Sequence, residues 1–258
     1  RLFLMKVKYW LLSLIIVELC FSNDDKSISL SKITNDKNSY NEYLINRNYG
    51  LHIIDGYVQN DSSKGMVLVH GYYPENWNTK GFEWVKPLSV LSKSNLPMWF
   101  FRYDWNECPS KTAIELKIEI KNLIIRNSSL ESLIVIGHSL GGLIVTLLSE
   151  QWDSSFPMDI HSVAAGLAKS KLDRRYNQCT FSKKNEYIVS KNIKYKQWRT
   201  IKNQDGIFKY LNNDPQIVKI VNGKSELLPE KWEGIRVGHN FSIVSVSDFI
   251  VLNIFKQK

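Results

Sequence analysis

The chain has 258 residues, of which 43% are apolar, 12% aromatic and 23% charged. This length and composition are typical of one large globular domain, and they exclude a disordered tail, a collagen and a coiled coil. Three cysteines are too few for a disulfide-built small fold or a multi-cysteine zinc module. The formal net charge of +9 is compatible with an anionic partner or surface.

The first 22 residues have the pattern of an export signal. Residues 5–8 are basic, residues 9–21 are mostly apolar, and the chain then turns polar. The apolar run is short and Glu18 interrupts it, which argues against a transmembrane helix. We therefore expect residues 1–22 to act as a signal peptide, and the protein to be secreted or membrane-associated. Lipid attachment at Cys20 and an N-terminal core element are the alternatives.

Residues 23–48 are polar and rich in Asn, Ser and Lys, so we expect an irregular lead-in to a domain of residues 49–258. In that domain, short apolar runs alternate with longer segments of helical character. The runs that we predict to be strands are residues 51–54, 66–69, 98–103 and 133–136. Continuous apolar runs of this kind are typical of a parallel sheet that is covered on both faces.

Three longer segments are predicted to be helices: residues 111–126, residues 140–152 and most of residues 241–255. The first is ambiguous, because its apolar residues fit both a strand alternation and a helical stripe. Its length and its place between two strands favour a helix, with Thr112 and Glu115 as a capping box. The succession of strands and helices predicts one doubly wound α/β domain with a mostly parallel sheet.

One motif carries chemistry, Gly137-x-Ser139-x-Gly141. An apolar strand leads into it and a helix leaves it, as a nucleophile elbow requires. We expect a sharp, strained turn in which side chains at Gly137 and Gly141 would collide with the neighbouring chain. Ser139 would then stand at a helix N-terminus, where the dipole favours developing negative charge. The alternative is a serine in an ordinary strand-to-helix turn.

The residues around this motif resemble the α/β-hydrolase superfamily. Residues 137–142, Gly-His-Ser-Leu-Gly-Gly, are similar to the elbow of its lipase and esterase branch, which includes the lecithin:cholesterol acyltransferase-like and GPI inositol-deacylase-like groups. Residues 103–105, Tyr-Asp-Trp, also look like a segment of that branch. The resemblance covers residues 66–149 well and implies the α/β-hydrolase fold.

A second segment of the resemblance is the sequence Val-Leu-Val-His-Gly-Tyr, which ends at residue 72. Lipases of this branch carry a His-Gly pair at the end of an early strand, here His70 and Gly71. The amide that follows the pair helps to bind the oxyanion, so the resemblance implies an oxyanion hole made by the N–H groups of Tyr72 and Leu140. The resemblance also gives His138 its place in the elbow.

The family order of serine, acid and histidine implies a catalytic base near the C-terminus. His239 occupies that place, whereas the other four histidines lie at or before the strand that follows the elbow. For the acid we favour Asp205, which resembles the Asp-Gly segment of lipases, and Asp214 is the alternative. The implied chemistry is attack by Ser139 on an ester carbonyl, with His239 as base and Asp205 orienting its ring.

The positive charge is concentrated in residues 169–202, whose net charge of +9 equals that of the whole chain. This segment follows the elbow helix and contains interleaved aromatic residues, so we expect a basic lid or cap insertion that contacts an anionic lipid surface or an anionic ester. A solvated loop is the alternative. Tyr73 and Trp77 are expected to line an apolar substrate pocket, or else to belong to the ordinary core.

The leading interpretation is an exported serine esterase or lipase that hydrolyses lipid-like carboxylic esters. An acyltransferase, thioesterase or amidase and a catalytically silent binding protein are alternatives on the same fold. We expect no nucleic-acid partner, no cofactor and no metal, because the sequence lacks the corresponding motifs. Cys108 and Cys179 are either paired in an oxidising compartment or separate buried thiols.

Overall fold

A computed structural model describes residues 27–56, 63–176, 179 and 183–256. The expected signal peptide and the alternative lipid attachment at Cys20 lie outside these residues. Within the described part of the chain, none of the helices has the length and apolar character needed to cross a bilayer.

Twelve strands are present in the described residues. They are β1 (Ile28–Ser29), β2 (Gly50–Asp55), β3 (Lys64–Val69), β4 (Met98–Arg102), β5 (Ser132–His138), β6 (Met158–Val163), β7 (Glu186–Ile188), β8 (Ile193–Arg199), β9 (Lys219–Val221), β10 (Lys224–Leu227), β11 (Lys231–Trp232) and β12 (Ile235–Arg236). Eight of them form the central sheet in the order β1-β2-β4-β3-β5-β6-β8-β10. Within it β2 runs antiparallel to β4, and the other neighbouring strands pair in parallel.

Among the described residues, five α-helices accompany the sheet: α1 (Lys37–Tyr40), α2 (Phe82–Leu91), α3 (Pro109–Arg126), α4 (Leu140–Gln151) and α5 (Ser242–Lys256). A π-helical turn, Asn41–Ile45, continues α1. Short 3-10 turns cover Leu30–Lys32, Ser92–Ser94, Lys171–Tyr176 and Lys202–Gln204. Helices α2 and α5 pack together over one face of the sheet, and α3 and α4 pack together over the other.

Strand β3 shows why the sheet requires continuous apolar runs. Met66 and Leu68 belong to the core beneath α2 and α5, whereas Val67 and Val69 belong to the core beneath α3 and α4. Because successive side chains of a strand point to opposite faces, a strand covered on both faces must be apolar at every position. The predicted α/β fold with a mostly parallel sheet is confirmed.

The start of α3 differs from the prediction. The helix begins at Pro109 with Cys108 as its N-cap, so Thr112 lies inside the first turn, with its hydroxyl 3.4 Å from the Cys108 carbonyl oxygen. The predicted capping box is therefore wrong. Proline suits the first helical position, since it lacks the N–H that would be unpaired there and its φ is already helical.

The polar lead-in is also more ordered than predicted. Strand β1 adds to the sheet beside β2, with Ile28 opposite Ile54, and Tyr40, Leu44 and Ile45 are buried in the core. The expectation of an irregular segment over residues 23–48 is wrong for its described part. A few apolar side chains at helical spacing suffice to hold the segment on the core, and its average composition conceals them.

The basic segment, residues 169–202, is only partly an insertion. Its last third forms β8, which pairs with β6 in the central sheet and buries Tyr195 and Trp198. Lys194, in contrast, points to solvent from the same strand. The expected lid is wrong for this stretch, because β8 is a strand of the central sheet whose aromatic side chains, Tyr195 and Trp198, belong to the cores on its two faces.

Several lysines of the basic segment are neutralised by neighbouring carboxylates. Three of the ion pairs are Lys183 with Asp173 at 2.8 Å, Lys184 with Glu150 at 2.9 Å and Lys196 with Glu226 at 3.1 Å. The contact of this segment with an anionic surface stays a prediction.

The two cysteines of the domain form a disulfide. Cys108, at the N-cap of α3, is bonded to Cys179, and their Cα atoms are 5.7 Å apart. The bond ties the segment that follows β6 to the start of α3. Of the two alternatives that the sequence left open, the structure therefore shows the pair.

Candidate active site

Ser139 lies in a strained turn between β5 and α4, with φ 57° and ψ −116°. Residues other than glycine rarely adopt a positive φ, and such strain costs about 1–3 kcal/mol. The turn is packed tightly on both sides. A Cβ atom at Gly137 would lie 2.3 Å from the carbonyl oxygen of Gly141, and one at Gly141 would lie 2.3 Å from that of Val69. The two glycines are therefore required by the geometry of the turn.

The structure brings Ser139, His239 and Asp205 together. Nε2 of His239 lies 2.9 Å from Oγ of Ser139, and Nδ1 of His239 lies 2.9 Å from Oδ2 of Asp205. If Nδ1 carries the hydrogen and donates it to the carboxylate, Nε2 accepts the hydroxyl hydrogen of Ser139. This is the geometry that activates a serine hydroxyl for attack.

The Asp205 carboxylate is completely buried and is held by further donors. Oδ2 also accepts the hydroxyl hydrogen of Thr200 at 2.6 Å, and Oδ1 accepts the backbone N–H groups of Ile207 at 2.8 Å and Phe208 at 3.0 Å. Burial alone would raise the pKa of Asp205, but the hydrogen bond and charge of His239, with these donors, leave that pKa below its ordinary value. The group therefore remains a carboxylate and is fixed in place.

His70 and His138, the histidines of the two short motifs, support the site indirectly. Their side chains are hydrogen-bonded to backbone carbonyl oxygens and not to Ser139. Nε2–H of His138 donates to the His239 carbonyl oxygen at 2.9 Å. Nδ1–H of His70 donates to the Gly71 carbonyl oxygen at 2.8 Å, and its ring stacks on Tyr103. Burial is the main cause that lowers the pKa of each to about 3. Both rings are neutral at physiological pH.

The remaining candidates lie away from Ser139. Oδ1 of Asp214, the alternative acid, accepts the backbone N–H of Gln216 at 3.0 Å. The ring of His161 accepts the indole N–H of Trp198 at 2.9 Å. Nε2 of His52, in β2, is hydrogen-bonded to the carbonyl oxygen of Asn48 just before that strand. Their hydrogen bonds are those of turns and core.

A cavity of about 190 Å³ lies beside Ser139, and we call it the Ser139 cavity. It is lined by Gly71, Tyr72, Tyr73, Pro74, Trp77, Glu83, His138, Ser139, Leu140, Leu143, Gly166, Leu172, Asp173, Lys183, Ile207, Phe208, His239 and Asn240. The lining includes the two residues predicted for the oxyanion hole, Tyr72 and Leu140. These residues follow β3 and β5, which pair in parallel with Val69 opposite Gly137, so both turns end at the same edge of the sheet.

Three charged residues of the cavity were missed by the sequence analysis. Glu83, in the first turn of α2, accepts the hydroxyl hydrogen of Tyr73. Burial raises the pKa of Glu83 to about 7. Asp173 and Lys183 form the ion pair described above. Nothing local distinguishes Glu83 from a surface glutamate of an amphipathic helix, so no signal in the sequence could have identified it.

No protein-family model and no curated protein match the chain. Solved structures do match. An esterase from Pyrococcus furiosus superposes with a TM-score of 0.50 at 11% identity, over 76% of this chain and 82% of that chain. Est1E from Butyrivibrio proteoclasticus superposes with a TM-score of 0.50 at 10% identity, over 80% and 94%. The fold is that of the α/β-hydrolases.

A third similar structure is a lipase-esterase related protein from Clostridium acetobutylicum, with a TM-score of 0.47 at 15% identity, over 80% of this chain and 98% of that chain. At such identities the likeness defines the fold alone. The finer resemblance of this chain to the lecithin:cholesterol acyltransferase-like and GPI inositol-deacylase-like lipases stays a prediction. Among the described residues, no group of three or more His, Cys, Asp or Glu side chains is arranged to hold a metal ion.

Proposed function

We propose that this chain is a serine hydrolase that cleaves carboxylic esters. The observation that carries the proposal is the continuous hydrogen-bonded series from Ser139 through His239 to Asp205, with both distances at 2.9 Å. The series starts at a strained turn and faces a cavity, as a nucleophile must to meet its substrate. One protein of the same fold, from Pyrococcus furiosus, is named an esterase.

In the proposed reaction, Nε2 of His239 takes the hydroxyl proton of Ser139 as Oγ attacks the ester carbonyl carbon. Asp205 orients the ring and stabilises the imidazolium. The imidazolium then protonates the departing alcohol oxygen, which leaves an acyl-enzyme. A water molecule gives its proton to His239 and attacks the acyl carbon, and Ser139 regains its proton as the acid departs.

The oxyanion of each tetrahedral intermediate is proposed to lie against the N–H groups of Tyr72 and Leu140. Support comes from their place in the lining of the Ser139 cavity and from the parallel pairing of β3 with β5, which sets the two turns side by side. Leu140 is the first residue of α4, so the helix dipole adds to the stabilisation of negative charge there.

The proposed substrates are lipid-like esters with an apolar acyl group. Leu143, Leu172 and Phe208 contribute apolar surface to the cavity, together with Trp77. The volume of about 190 Å³ is below the roughly 300–1,000 Å³ of pockets that enclose drug-sized ligands. We therefore expect the cavity to enclose the first carbons of an acyl chain, with the rest of a long chain outside it.

The disulfide supports a further part of this proposal, that the protein works outside the cytosol. Disulfides such as Cys108–Cys179 persist in oxidising compartments and are rare where thiols are kept reduced. Export is therefore proposed on the disulfide together with the predicted signal sequence.

The test is hydrolysis of p-nitrophenyl esters from acetate to palmitate by the purified protein and by Ser139→Ala. We expect turnover with a preference for short acyl chains, and a loss of kcat of about 10⁵–10⁶-fold in Ser139→Ala, because the nucleophile is removed. Ser128→Ala, which changes an exposed serine after α3, is the matched control and should keep wild-type turnover.

A fluorophosphonate probe adds a second readout, since it bonds covalently to an activated serine and mass spectrometry locates the adduct. Labelling at Ser139 without turnover of any ester would indicate a thioesterase, amidase or acyltransferase. A folded protein that neither turns over esters nor reacts with the probe would be a binding protein and would contradict the proposal. Equal turnover by Ser139→Ala would place the nucleophile elsewhere.

A further inference from the structure

Glu83 differs from the other carboxylates near Ser139 in having no basic partner. Asp173 is paired with Lys183 at 2.8 Å, and Asp205 is bonded to His239 at 2.9 Å. Among the described residues, no ion pair involves Glu83, and its side-chain hydrogen bond comes from the Tyr73 hydroxyl. The described wall of the cavity therefore contains one carboxyl group that forms no ion pair.

The surroundings of Glu83 make that charge costly. Burial raises its pKa to about 7, and this effect exceeds the opposing effects of Tyr73, of the backbone amides at the start of α2 and of the His239 charge. A carboxylate removed from water is stable only when it is paired or hydrogen-bonded, or when it takes up a proton. An unpaired carboxylate that faces a cavity therefore favours a cation in that cavity.

Aromatic rings complete the surroundings of such a cation. The Ser139 cavity is lined by Tyr72, Tyr73, Trp77 and Phe208. The faces of aromatic rings attract ammonium groups, and a carboxylate beside them adds a full negative charge. Lys183, the one lysine or arginine of the described lining, is already paired with Asp173.

We propose that Glu83, with the aromatic residues of the Ser139 cavity, binds an ammonium group of the substrate, so that the preferred substrates are cationic esters. The proposal rests on the proposed ester hydrolysis at Ser139 and adds a substrate class to it. It assigns Glu83 to substrate recognition, rather than to the support of His239.

These two roles make different predictions. A carboxylate that stabilised the His239 imidazolium would accelerate neutral and cationic esters equally. A carboxylate that binds the substrate cation accelerates the hydrolysis of only the cationic member of an isosteric pair. The ratio of kcat/KM within such a pair therefore separates recognition by Glu83 from an effect on the base.

The experiment uses two pairs, since the ammonium group can belong to either side of the ester. The first is butyrylcholine with 3,3-dimethylbutyl butyrate, and the second is the p-nitrophenyl ester of 4-(trimethylammonio)butyrate with that of 5,5-dimethylhexanoate. At pH 8 we expect the wild type to prefer the cationic member of at least one pair by about tenfold. In Glu83→Gln, which keeps size and an acceptor for Tyr73, the preference should fall to about twofold or less.

The matched control is Glu75→Gln, which removes the same charge from an exposed position on the loop between β3 and α2. It should keep the wild-type preference, whereas a general electrostatic effect would reduce it as in Glu83→Gln. Melting temperature checks that Glu83→Gln is folded. We expect no loss of stability, because a neutral side chain suits this half-buried position.

The preference should also depend on pH. Tyr73 and Tyr40 face Glu83 from the loop after β3 and from α1, His239 acts from the loop before α5, and the Asp173–Lys183 pair lies in the same lining. Both tyrosines stay protonated near neutral pH, because burial raises their pKa values. The ratio should therefore rise through about pH 7 in the wild type and stay flat in Glu83→Gln.

Equal kcat/KM for both members of each pair in the wild type would overturn the proposal, as would a preference that survives in Glu83→Gln. Failure of the proposed hydrolysis would look different, because the wild type would then turn over no ester at all. In that event, calorimetric titration of Ser139→Ala with butyrylcholine and its neutral isostere decides. The cation site is supported if Ser139→Ala binds butyrylcholine more tightly than the neutral isostere and the Ser139→Ala, Glu83→Gln double variant does not. It is refuted if Ser139→Ala binds the two compounds equally.

Discussion

The hydrogen bonds of Asp205 show how single residues prepare the proposed chemistry. Thr200, Ile207 and Phe208 hold the two carboxylate oxygens, and His239 takes one of them as its own acceptor. A carboxylate fixed in this way does not reorganise when the imidazolium forms, which is the condition for electrostatic stabilisation of the transition state.

Replacement of Asp205 by asparagine should therefore impair catalysis more than binding. The amide keeps the size of the carboxylate, but it neither fixes the tautomer of His239 nor compensates the imidazolium charge. We expect kcat for p-nitrophenyl butyrate to fall by about 10³–10⁴-fold, with a small change in KM. Asp214→Asn is the matched control and should stay near wild type. A decrease of less than tenfold in Asp205→Asn would show that another group supports the base.

At the scale of an element, the turn between β5 and α4 depends on backbone contacts rather than on side chains. Around Ser139, the backbone at Gly137 and Gly141 lies very close to the neighbouring backbone. Neither position therefore has room for a side chain. A methyl group at Gly137 would lie 2.3 Å from a backbone oxygen and 2.8 Å from Cγ2 of Val145. Neither β5 nor α4 can move away, since both belong to the core.

Gly137→Ala should accordingly destabilise the fold and abolish turnover. We expect the free energy of unfolding in urea to fall by about 2–4 kcal/mol, a cost typical of overpacking with backbone displacement. Gly206→Ala is the control, because a Cβ atom there meets nothing within 4 Å. The interpretation of the turn would be wrong if Gly137→Ala unfolded within about 0.5 kcal/mol of the wild type, the range of a neutral surface change.

At the scale of the whole molecule, buried neutral histidines link the fold to pH. His70 and His138 have pKa values lowered to about 3 in the folded protein, whereas the unfolded chain protonates near pH 6.5. Each histidine therefore contributes its full stability above about pH 6.5, and this contribution is lost as the pH falls towards 3.

Stability should decrease on acidification with a slope that these rings set. Between pH 6 and pH 4 we expect each histidine to contribute a loss of about 1.4 kcal/mol per pH unit. Urea unfolding of the wild type and of His138→Gln at several pH values measures the slope. Glutamine does not titrate, so the slope of the free energy of unfolding against pH should be smaller in His138→Gln. The difference should be about 1.4 kcal/mol per pH unit, the contribution of one proton. Parallel curves for the two proteins would mean that His138 is protonated in the folded state.

Short-range physics made much of this molecule predictable. Strand β3 was predictable as a short continuous apolar run, and helix α3 was predictable from its length and its place between two strands. The turn at Ser139 was predictable from the spacing of its two glycines, and the clash at Gly137 does arise within a few residues, whereas the clash at Gly141 is with Val69 on β3. The resemblance to lipases then implied Asp205 and His239, two residues that the structure places in contact with each other.

Only the tertiary structure decided the features that depend on distant parts of the chain. The pairing of Cys108 with Cys179, the place of β8 inside the sheet and the order of the polar lead-in all require partners far along the sequence. Glu83 is the clearest case. A glutamate in the first turn of a helix is ordinarily solvated, and the pKa of Glu83 is raised only because the fold sets α2 against the cavity beside Ser139. The free energy of a charge is determined by what surrounds it in space, and the sequence alone does not specify those neighbours.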